Sequence, residues 1–463
     1  MQKPSIPKGT RDFTISEMVR REYIFDTVRK VFKKYGYSSI ETPAMENLST
    51  LLGKYGEEGD KLLFKILNSG DFLAKADISF IKDQKTNQFA LEISKKGLRY
   101  DLTVPFARFV VQHRNDIKFP FKRYQIQPVW RADRPQKGRY QEFYQCDADI
   151  IGSDSLLNEV EFIQLIDDVF NELNIGVSIK LNNRKILAGI AEVIGTPNSL
   201  SEITTAMDKL ERTGRTGFEE ELISKNIPKE AIDELCSYIF TGKQSFISAD
   251  YTNEDKIKLL ESWLLDSNIG REGINELKEI LTILSSSNPN LIIDLDLKLA
   301  RGLNYYTGAI IEVKADDVEL GSLCGGGRYD NLTGIFGLPD VSGVGISFGA
   351  DRIYDVMEQL DLFPSEVTTS ASLLIINFGE KEQIKCLKII KEIRKAGISA
   401  EIYPDTIKFK NLKKQMDYAN IKQIPYVLFV GEEEIKIKKF ALKNMNTGYQ
   451  EKLSVPELIE KLQ

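Results

Sequence analysis

The sequence predicts an α+β protein: a mainly antiparallel sheet flanked by helices, followed by a smaller α/β domain. Strand signals at 97–151 and 288–349 lack a regular βαβ repeat. The stretch between them reads as successive amphipathic helices, and strands alternate with helices near the C-terminus. We therefore expect a main domain in two parts, 1–185 and 286–363, a helical insertion, 186–285, and a C-terminal domain, 371–463.

The composition is that of an ordinary globular protein and argues against several kinds of chemistry. Of 463 residues, 42% are hydrophobic and 28% charged. We expect no membrane span and no signal peptide, because no apolar run is long enough. The four cysteines form no CxxC pair, which indicates a reducing, cytoplasmic setting without structural zinc. The single histidine, His113, argues against a Ser-His-Asp triad or a His-rich metal site.

The N-terminal region predicts a helix and then an interrupted strand. A helix is expected from about Ser16 to Tyr35, because Thr14 and Glu17 have capping-box spacing. The following segment, YSSIETPAMEN, reads as a strand broken at Pro43, and proline fits a sheet edge or an interface better than a sheet centre. From Gly97, GLRYDLTVPFARFVV predicts a strand and a turn that lead into a helix.

The stretch from Lys122 to Gly152 predicts two strands joined by a polar loop. Alternation in the second strand places four side chains on one face: Phe143, Gln145, Asp147 and Asp149. Two carboxylates on what looks like a central strand are costly unless a ligand uses them. The connecting loop carries basic residues that suit a polyphosphate: Arg131, Arg134, Lys137 and Arg139.

The rest of the chain predicts helices, a second set of strands and the C-terminal domain. Within the helical stretch, LERTGRTGFEEEL is expected to form a loop. The glycine-rich CGGGRYD is expected to be a turn, and GVGISFGADRIYDVMEQL predicts a strand, a tight turn and a helix. Residues 371–463 carry 17 Lys and Arg against 12 Asp and Glu, which indicates either contact with a polyanion or a solvated lysine-rich surface.

Two residues of the second strand set stand out. Arg352 falls near the start of a predicted helix. A cation there is unfavourable by roughly 0.3–1 kcal/mol because it opposes the helix dipole, and a bound anion would make the position favourable. The alternative is an ion pair with Asp351 or Asp355. Tyr306 offers a hydroxyl on a rigid ring, or else is an ordinary core aromatic. No GxGxxG or GxxxxGK[ST] nucleotide motif is present.

Six segments in order resemble one family. They are KGTRDF, YGYSSIETPAMEN, LRYDLTVPFARF, WRADRPQKGRYQEFYQCDADIIG, the pair ARGLNYYTG and CGGGRYD, and GVGISFGADR. Together they make the chain similar, over nearly its whole length, to the class II aminoacyl-tRNA synthetases and among them to the histidyl-tRNA synthetase family. The resemblance implies a catalytic domain at 1–185 and 286–363 and an anticodon-binding domain at 371–463.

The resemblance also implies a role for each matching residue. The ATP site is implied to comprise Arg131, Asp133, Arg139, Phe143 and Arg352, and the histidine site Asp101, Thr103, Gln145, Asp149, Arg301, Tyr306 and Tyr329. Arg131, Arg301 and Arg352 are implied to carry the catalytic charge, and Gln136 to meet the acceptor end of the tRNA. The implied reaction uses histidine, ATP with Mg²⁺, and tRNA(His), in a cytoplasmic homodimer with no zinc and no membrane contact.

One departure and two alternatives accompany this interpretation. Asn304 replaces the aspartate common in the RGLDYYTG form of its segment, which removes a carboxylate beside the pocket. A catalytically silent relative serves as the regulatory subunit of ATP phosphoribosyltransferase, but it typically has eroded ATP motifs and lacks the anticodon module. A prolyl or threonyl synthetase shares the fold, but is not expected to carry both ARGLNYYTG and GGGRYD.

Overall fold

The structure is a computed structural model that describes residues 3–74, 76–240, 251–300, 305–364, 367, 371–405 and 412–463. It divides into two compact units. One comprises Met1–Arg11 and Ile24–Leu362, and the other Asp12–Tyr23 and Phe363–Gln463. Among the described residues, no helix combines the length and the apolar character needed to cross a bilayer.

Before residue 152 the structure contains the predicted first helix, interrupted strand, helix after Gly97 and paired strands, together with elements between residues 48 and 93 that the sequence analysis did not predict. The helices are α1 (Ile15–Lys34), α2 (Leu48–Leu51), α3 (Gly56–Lys61), α4 (Ser79–Lys82), α5 (Thr86–Ile93) and α6 (Thr103–Gln112). The strands are β1 (Ser38–Ser39), β2 (Met45–Asn47), β3 (Lys65–Ile66), β4 (Lys96–Leu98), β5 (Phe121–Trp130) and β6 (Glu142–Ile151). The capping box before α1 is confirmed, because the backbone N–H of Thr14 donates to Glu17 at 2.6 Å.

The remaining elements of the first unit form its second half. The helices are α7 (Leu157–Glu172), α8 (Arg184–Val193), α9 (Leu200–Ser224), α10 (Lys229–Phe240), α11 (Asn253–Trp263), α12 (Asn268–Ser287) and α13 (Ala350–Gln359). The strands are β7 (Val177–Asn183), β8 (Ile293–Leu295), β9 (Ala309–Ala315), β10 (Cys324–Tyr329) and β11 (Gly343–Gly349).

An eight-stranded sheet organises this unit in the order β1-β5-β6-β11-β10-β9-β7-β8. Only the outermost pairs, β1 with β5 and β7 with β8, are parallel among these strands, so the predicted mainly antiparallel sheet is confirmed. Helices α1 and α7 pack on one face, where Phe348 meets Phe32 and Phe170 with ring centroids 6.0 and 5.7 Å apart. Residues such as Ser347 alternate to the other face.

The prediction that CGGGRYD forms a turn is wrong. Cys324–Tyr329 is strand β10, hydrogen-bonded on both sides inside the sheet. A Cβ on Gly326 would lie 2.1 Å from the carbonyl oxygen of Gly345, and one on Gly327 would lie 2.5 Å from that of Ala309. Glycine is therefore used here because neighbouring strands approach closely, and this demand comes from strands distant in sequence.

The prediction of a loop at LERTGRTGFEEEL is also wrong. Helix α9 continues through the segment, and only Gly214 leaves helical geometry, with φ +64° and ψ −173°. A glycine adopts this conformation without a Cβ clash, so two helical segments meet at a kink there. Buried Leu210 and Phe218 lie on either side of the kink.

The C-terminal part of the second unit is a five-stranded sheet in the order β13-β12-β14-β15-β16. Its strands are β12 (Leu373–Ile376), β13 (Ala400–Ile402), β14 (Tyr426–Phe429), β15 (Phe440–Asn444) and β16 (Gln450–Leu453). Its helices are α14 (Glu380–Lys395), α15 (Leu412–Ile421), α16 (Glu432–Ile437) and α17 (Val455–Leu462). The core under α14 contains Leu373, Ile389, Ile393 and Leu428. The alternation of strands and helices is as predicted.

Candidate active site

A cavity of about 520 Å³ lies on the face of the main sheet opposite α1 and α7. It is lined by most of the residues that the sequence singled out, namely Asp101, Thr103, Arg131, Asp133, Arg139, Phe143, Gln145, Asp149, Tyr306, Tyr329 and Arg352. These residues come from β6, β10, α6, α13 and the loops beside them. The fold thus brings together side chains that are up to about 250 positions apart in sequence.

Asp149 occupies the floor of the cavity with both carboxylate oxygens engaged. Its Oδ1 accepts from the hydroxyl of Tyr329 at 2.5 Å, and its Oδ2 lies 2.6 Å from a guanidinium nitrogen of Arg123. Burial raises the pKa of Asp149, and Arg123 acts in the opposite direction. Gly345 makes room for the carboxylate, because a Cβ there would lie 2.1 Å from Asp149 Oδ1.

Asp101 is a second buried carboxylate, placed just before α6. Its Oδ1 accepts from the hydroxyl of Tyr55 at 3.0 Å and from the backbone N–H of Val104 at 3.1 Å. Its Oδ2 accepts from the hydroxyl of Tyr305 at 3.3 Å. Burial raises the pKa of Asp101, while the Val104 N–H and the Arg131 charge act against that rise. The carboxylate is therefore fixed in direction by three donors.

Gln145 lies on strand β6 and lines the same cavity. Its amide Nε2 donates to Ser347 Oγ at 2.6 Å. Among the described residues, its Oε1 has no hydrogen-bond partner although it is buried. A buried acceptor without a donor costs roughly 1–3 kcal/mol, so this oxygen suits a positively charged donor in the cavity.

Arg131 begins the loop after β5 and is held against aromatic rings. Its Nε donates to the carbonyl of Tyr100 at 3.0 Å. Its guanidinium carbon lies 4.2 Å from the centroid of the Tyr100 ring and 5.2 Å from that of Phe143. Stacking and the carbonyl fix the planar group, so that its remaining N–H donors have a defined direction.

Arg352 lies in the first turn of α13, as predicted. Its Nε donates to the carbonyl of Gly138 at 2.9 Å, and one terminal nitrogen donates to the carbonyl of Ser322 at 2.8 Å. Gly321 leaves space for the guanidinium, because a Cβ there would lie 3.0 Å from Arg352 Cζ. The neighbouring carboxylates Asp351 and Asp355 pair with Arg11.

The loop residues differ in how closely they approach the cavity. Arg139 lies 3.7 Å from Asp133, and its side chain is 46% exposed. Gln136 is exposed on a tight turn, where its backbone N–H and carbonyl pair with those of Arg139 at 3.1 and 2.9 Å. Gln136 does not line the cavity. The predictions for Arg301 and Asn304 lie outside the described residues.

Tyr306 faces the cavity beside strand β10. A Cβ on Gly327 would lie 3.0 Å from its ring, so the glycine allows the ring to settle against the strand. Burial, together with Asp149 and Asp101, raises the pKa of the Tyr306 hydroxyl, which keeps it a neutral donor and acceptor. The adjacent Thr307 is fixed by Asp330, which accepts from its hydroxyl at 2.5 Å.

Four residues of the site were not found by the sequence reasoning. Arg123 neutralises Asp149, and Tyr55 and Tyr305 orient Asp101. Glu312 on β9 lines the cavity, and Lys314 lies 3.8 Å from its carboxylate. Of these four, only Arg123 could have been found from the sequence, because it is a charged residue on the predicted strand that pairs with the carboxylate-bearing strand.

Alternation along β6 predicts that both Asp147 and Asp149 face a ligand, but Asp147 does not. It lies between Gln145 and Asp149 on β6, but it is 1% exposed and does not line the cavity. Its partners across the sheet are Gln125 on β5 and Ser347 on β11. Alternation places a side chain on a face, but the depth of the cavity floor decides whether it reaches a ligand.

Known proteins match both the fold and the sequence. Residues 81–353 match the family model described as histidyl-tRNA synthetase, and residues 372–463 match the anticodon binding domain. The histidine--tRNA ligase of Phocaeicola vulgatus is 57% identical over 457 residues, covering 99% of this chain and 98% of its own. That of Porphyromonas gingivalis is 57% identical over 453 residues, with 98% and 97% covered.

Solved structures show the same fold. The crystal structure of histidyl-tRNA synthetase from Nostoc matches with a TM-score of 0.81 and 29% identity, covering 100% of this chain and 99% of that one. A Bacillus halodurans structure, described as an ATP phosphoribosyltransferase regulatory subunit/histidyl-tRNA synthetase, has a TM-score of 0.69 over 92% and 99% of the chains. At 19% identity, this second match shows the fold alone.

An antiparallel catalytic sheet with an appended anticodon-binding domain defines a class II aminoacyl-tRNA synthetase, a ligase that joins an amino acid to tRNA with ATP as substrate. Within that class, the chain belongs to the histidyl-tRNA synthetase family. Its activity is that of a histidine–tRNA ligase.

Proposed function

We propose that the cavity holds histidine and ATP side by side and performs both steps of histidine–tRNA ligation. In the first step the histidine carboxylate attacks the α-phosphorus of ATP, forming histidyl-adenylate and releasing pyrophosphate. In the second step the 3′-terminal ribose of the tRNA takes the histidyl group and AMP leaves. The observation that supports this proposal is the meeting of buried carboxylates and tyrosines with three arginines in one cavity.

Histidine is recognised by the carboxylate and tyrosine hydroxyls of the cavity floor. A neutral imidazole has one donor and one acceptor nitrogen, so Asp149 and the Tyr306 hydroxyl together can bind both. Tyr329 holds the Asp149 carboxylate in place. The ammonium group of histidine meets Asp101, Thr103 and the Oε1 of Gln145. Analogues without the imidazole nitrogens would leave these buried groups unpaired and are rejected for that reason.

ATP is bound through its phosphates and its base. Arg131 contacts the α-phosphate, where a fixed guanidinium neutralises the charge that develops during attack. Arg352 contacts the γ-phosphate and covers the adenine on the side opposite Phe143, and Asp133 and Arg139 close over the nucleotide. The proposed role of Arg301, at the histidine carboxylate and α-phosphate, rests on the sequence match alone.

Magnesium is proposed to accompany the pyrophosphate part of ATP. Among the described residues, no group of three or more His, Cys, Asp or Glu side chains could hold a metal ion. Mg²⁺ keeps several waters and is usually bound through substrate phosphates and one or two carboxylates. Glu312 is a carboxylate of the cavity wall; it accepts from the Ser322 hydroxyl and lies 3.8 Å from Lys314. The ion would neutralise pyrophosphate charge.

The remaining parts of the prediction concern partners and assembly. The C-terminal unit, with its excess of Lys and Arg, is proposed to bind the anticodon of tRNA(His). Gln136 lies exposed on its turn and is proposed to meet the acceptor end. We also propose a homodimer that uses the Pro43 segment, a cytoplasmic location, and domain bounds at 185, 285 and 371.

Histidine-dependent ATP–pyrophosphate exchange, measured with all twenty amino acids, tests this function. Exchange with histidine alone is the expected result, because Asp149 and Tyr306 read both imidazole nitrogens. Histidine binding without exchange would instead indicate a regulatory protein, and exchange with another amino acid would contradict the assignment of the cavity floor. Sedimentation at several concentrations tests the dimer separately.

A further inference from the structure

The buried Asp147 has no part in the roles proposed above, although it lies in the middle of the cavity-side face of β6. Its neighbours along the strand, Gln145 and Asp149, both line the cavity. Its side chain is 1% exposed, and its Oδ1 has no hydrogen-bond partner among the described residues. A buried carboxylate costs several kcal/mol unless it is paired, so its retention calls for a function.

Asp147 is connected to Gln145 through one hydroxyl group. Gln145 Nε2 donates to Ser347 Oγ at 2.6 Å. Ser347 is also the cross-strand partner of Asp147 on β11, and a hydrogen bond from its hydroxyl lowers the pKa of the Asp147 carboxylate. A hydroxyl has a single proton, so donation to Asp147 leaves Ser347 Oγ as an acceptor for Gln145. The Gln145 amide then turns its nitrogen to Ser347, and its Oε1 is the atom left for a ligand.

We propose that Asp147 is a positioning residue for histidine: as a carboxylate it fixes the direction of the Ser347 proton and thereby presents the Gln145 oxygen to the ammonium group of the substrate. This inference rests on the proposed binding of histidine in the cavity. With Asp147 neutral, Ser347 loses its strong acceptor and the Gln145 oxygen loses its fixed direction toward the ligand. Both changes weaken histidine binding and leave the ATP contacts in place.

The surroundings of Asp147 place its titration within reach of ordinary assay conditions. Burial raises its pKa to about 7, Arg123 lowers that pKa, Asp149 raises it, and the Ser347 hydrogen bond lowers it. The charged and titratable groups that face it from packed elements are Arg123, Arg99, Asp101, Asp149, Tyr306 and Cys324. As pH falls through this value Asp147 becomes neutral, so the KM for histidine is expected to rise on the acid side.

The test is the pH dependence of the histidine KM in ATP–pyrophosphate exchange, comparing the full-length protein with Asp147→Asn. The substitution imitates the neutral acid at every pH. At pH 8 it is expected to raise the histidine KM about ten-fold, and the ratio of variant to natural protein should fall toward one at pH 6. Using the ratio removes the titration of the substrate's own imidazole. The KM for ATP should change less than about two-fold.

Ser347→Ala supplies an independent test, because it removes the connecting hydroxyl. If the two residues act in one chain, Asp147→Asn in the Ser347→Ala background should raise the histidine KM by less than about two-fold. Asp167→Asn is the matched control, since burial also raises the pKa of Asp167, but the residue lies on α7, which packs on the face of the sheet opposite the cavity. Its KM ratio should stay near one at every pH.

Three results would overturn the inference while leaving the proposed function intact: a KM ratio that is constant from pH 6 to pH 8, additive effects of the two substitutions, or equal changes in the KM for histidine and ATP. The last of these is the expected result of a purely structural role. If the natural protein shows no histidine-dependent exchange, the proposed function fails and this inference fails with it. If Asp147→Asn does not fold, the pH profile of Ser347→Ala decides, because that profile should then be flat relative to Asp167→Asn.

Discussion

The residues proposed to bind histidine and those proposed to bind ATP are held in different ways. The histidine set (Asp101, Gln145, Asp149, Tyr306 and Tyr329) lies in the buried floor, where each carboxylate is already bonded to tyrosine hydroxyls. The ATP set (Arg131, Asp133, Arg139, Phe143 and Arg352) belongs to the loop after β5, the start of β6 and the start of α13, and Arg131 and Arg352 are held by backbone carbonyls.

This difference indicates how the site divides selectivity from catalysis. Groups fixed by buried hydrogen bonds reject a ligand that cannot replace their partners, which is the requirement for choosing one amino acid among twenty. Guanidinium groups held by neutral carbonyls keep their full positive charge for the phosphates. Substitutions in the first set should therefore affect histidine selectively, and those in the second set should affect ATP.

The largest effect is expected from Asp149→Asn. It removes the carboxylate proposed to read the imidazole and leaves the buried Arg123 without its counter-charge, so kcat/KM for histidine should fall roughly 10³-fold. Exchange kinetics at saturating ATP measure this. Tyr329→Phe removes only the supporting hydroxyl and should cost about ten-fold. An equal loss in kcat/KM for ATP would erase the distinction between the two sets.

Arg131→Lys tests the ATP set while keeping the charge. A lysine ammonium cannot reproduce both the bond to the Tyr100 carbonyl and the stacking on its ring, so kcat for exchange should fall about 100-fold. Rapid-quench measurement of adenylate formation at saturating histidine is the suitable readout. The dissociation constant of histidine, from equilibrium dialysis, should stay within about three-fold; a larger change would mean that the sets are not separable.

The glycine strand beneath the histidine set offers a matched pair of stability variants. Gly326→Ala should destabilise the fold by about 3 kcal/mol, because its Cβ would lie 2.1 Å from the Gly345 oxygen. Gly325→Ala has only Ile311 oxygen nearby, at 3.5 Å, and should cost about 1 kcal/mol or less. Urea unfolding of both variants measures the difference. Equal urea midpoints for the two variants would show that β10 can shift and that the cavity floor is not rigid.

The smallest effect is expected from Asp133→Asn at the exposed edge of the ATP set. Its partner Arg139 lies 3.7 Å away and is 46% exposed, so the free energy of unfolding should change by less than about 0.5 kcal/mol. The KM for ATP should rise only about three-fold, since one loop contact is altered. A large loss of stability would instead place this pair with the rigid floor.

Much of the site could be predicted from local patterns in the sequence. Alternation along β6 placed Phe143, Gln145 and Asp149 on one face, and Arg352 was correctly placed at a helix start. These features depend on residues close in sequence, where backbone periodicity and capping act. The roles carried over from the family resemblance remain predictions until the variants are measured.

The two features that the sequence predicts wrongly have the same physical cause. The sequence predicts a turn at CGGGRYD because glycine breaks strands locally, yet Gly326 lies in mid-sheet because Gly345 of the next strand approaches it. Asp147 was grouped with the ligand-binding carboxylates because periodicity gives its face and says nothing of the depth of the floor above it. In both cases the deciding neighbours lie far along the chain.

The sequence alone determined the family, the order of the elements and the face of β6 that carries the chemistry, because these depend on short segments and their local geometry. Only the tertiary structure decided the pairing of Asp149 with Arg123, the fixing of Asp101 by Tyr55 and Tyr305, and the placing of Ser347 opposite Asp147 and against Gln145. Hydrogen bonds and ion pairs of this kind join strands and loops that meet only after folding, so periodicity along one strand cannot specify them.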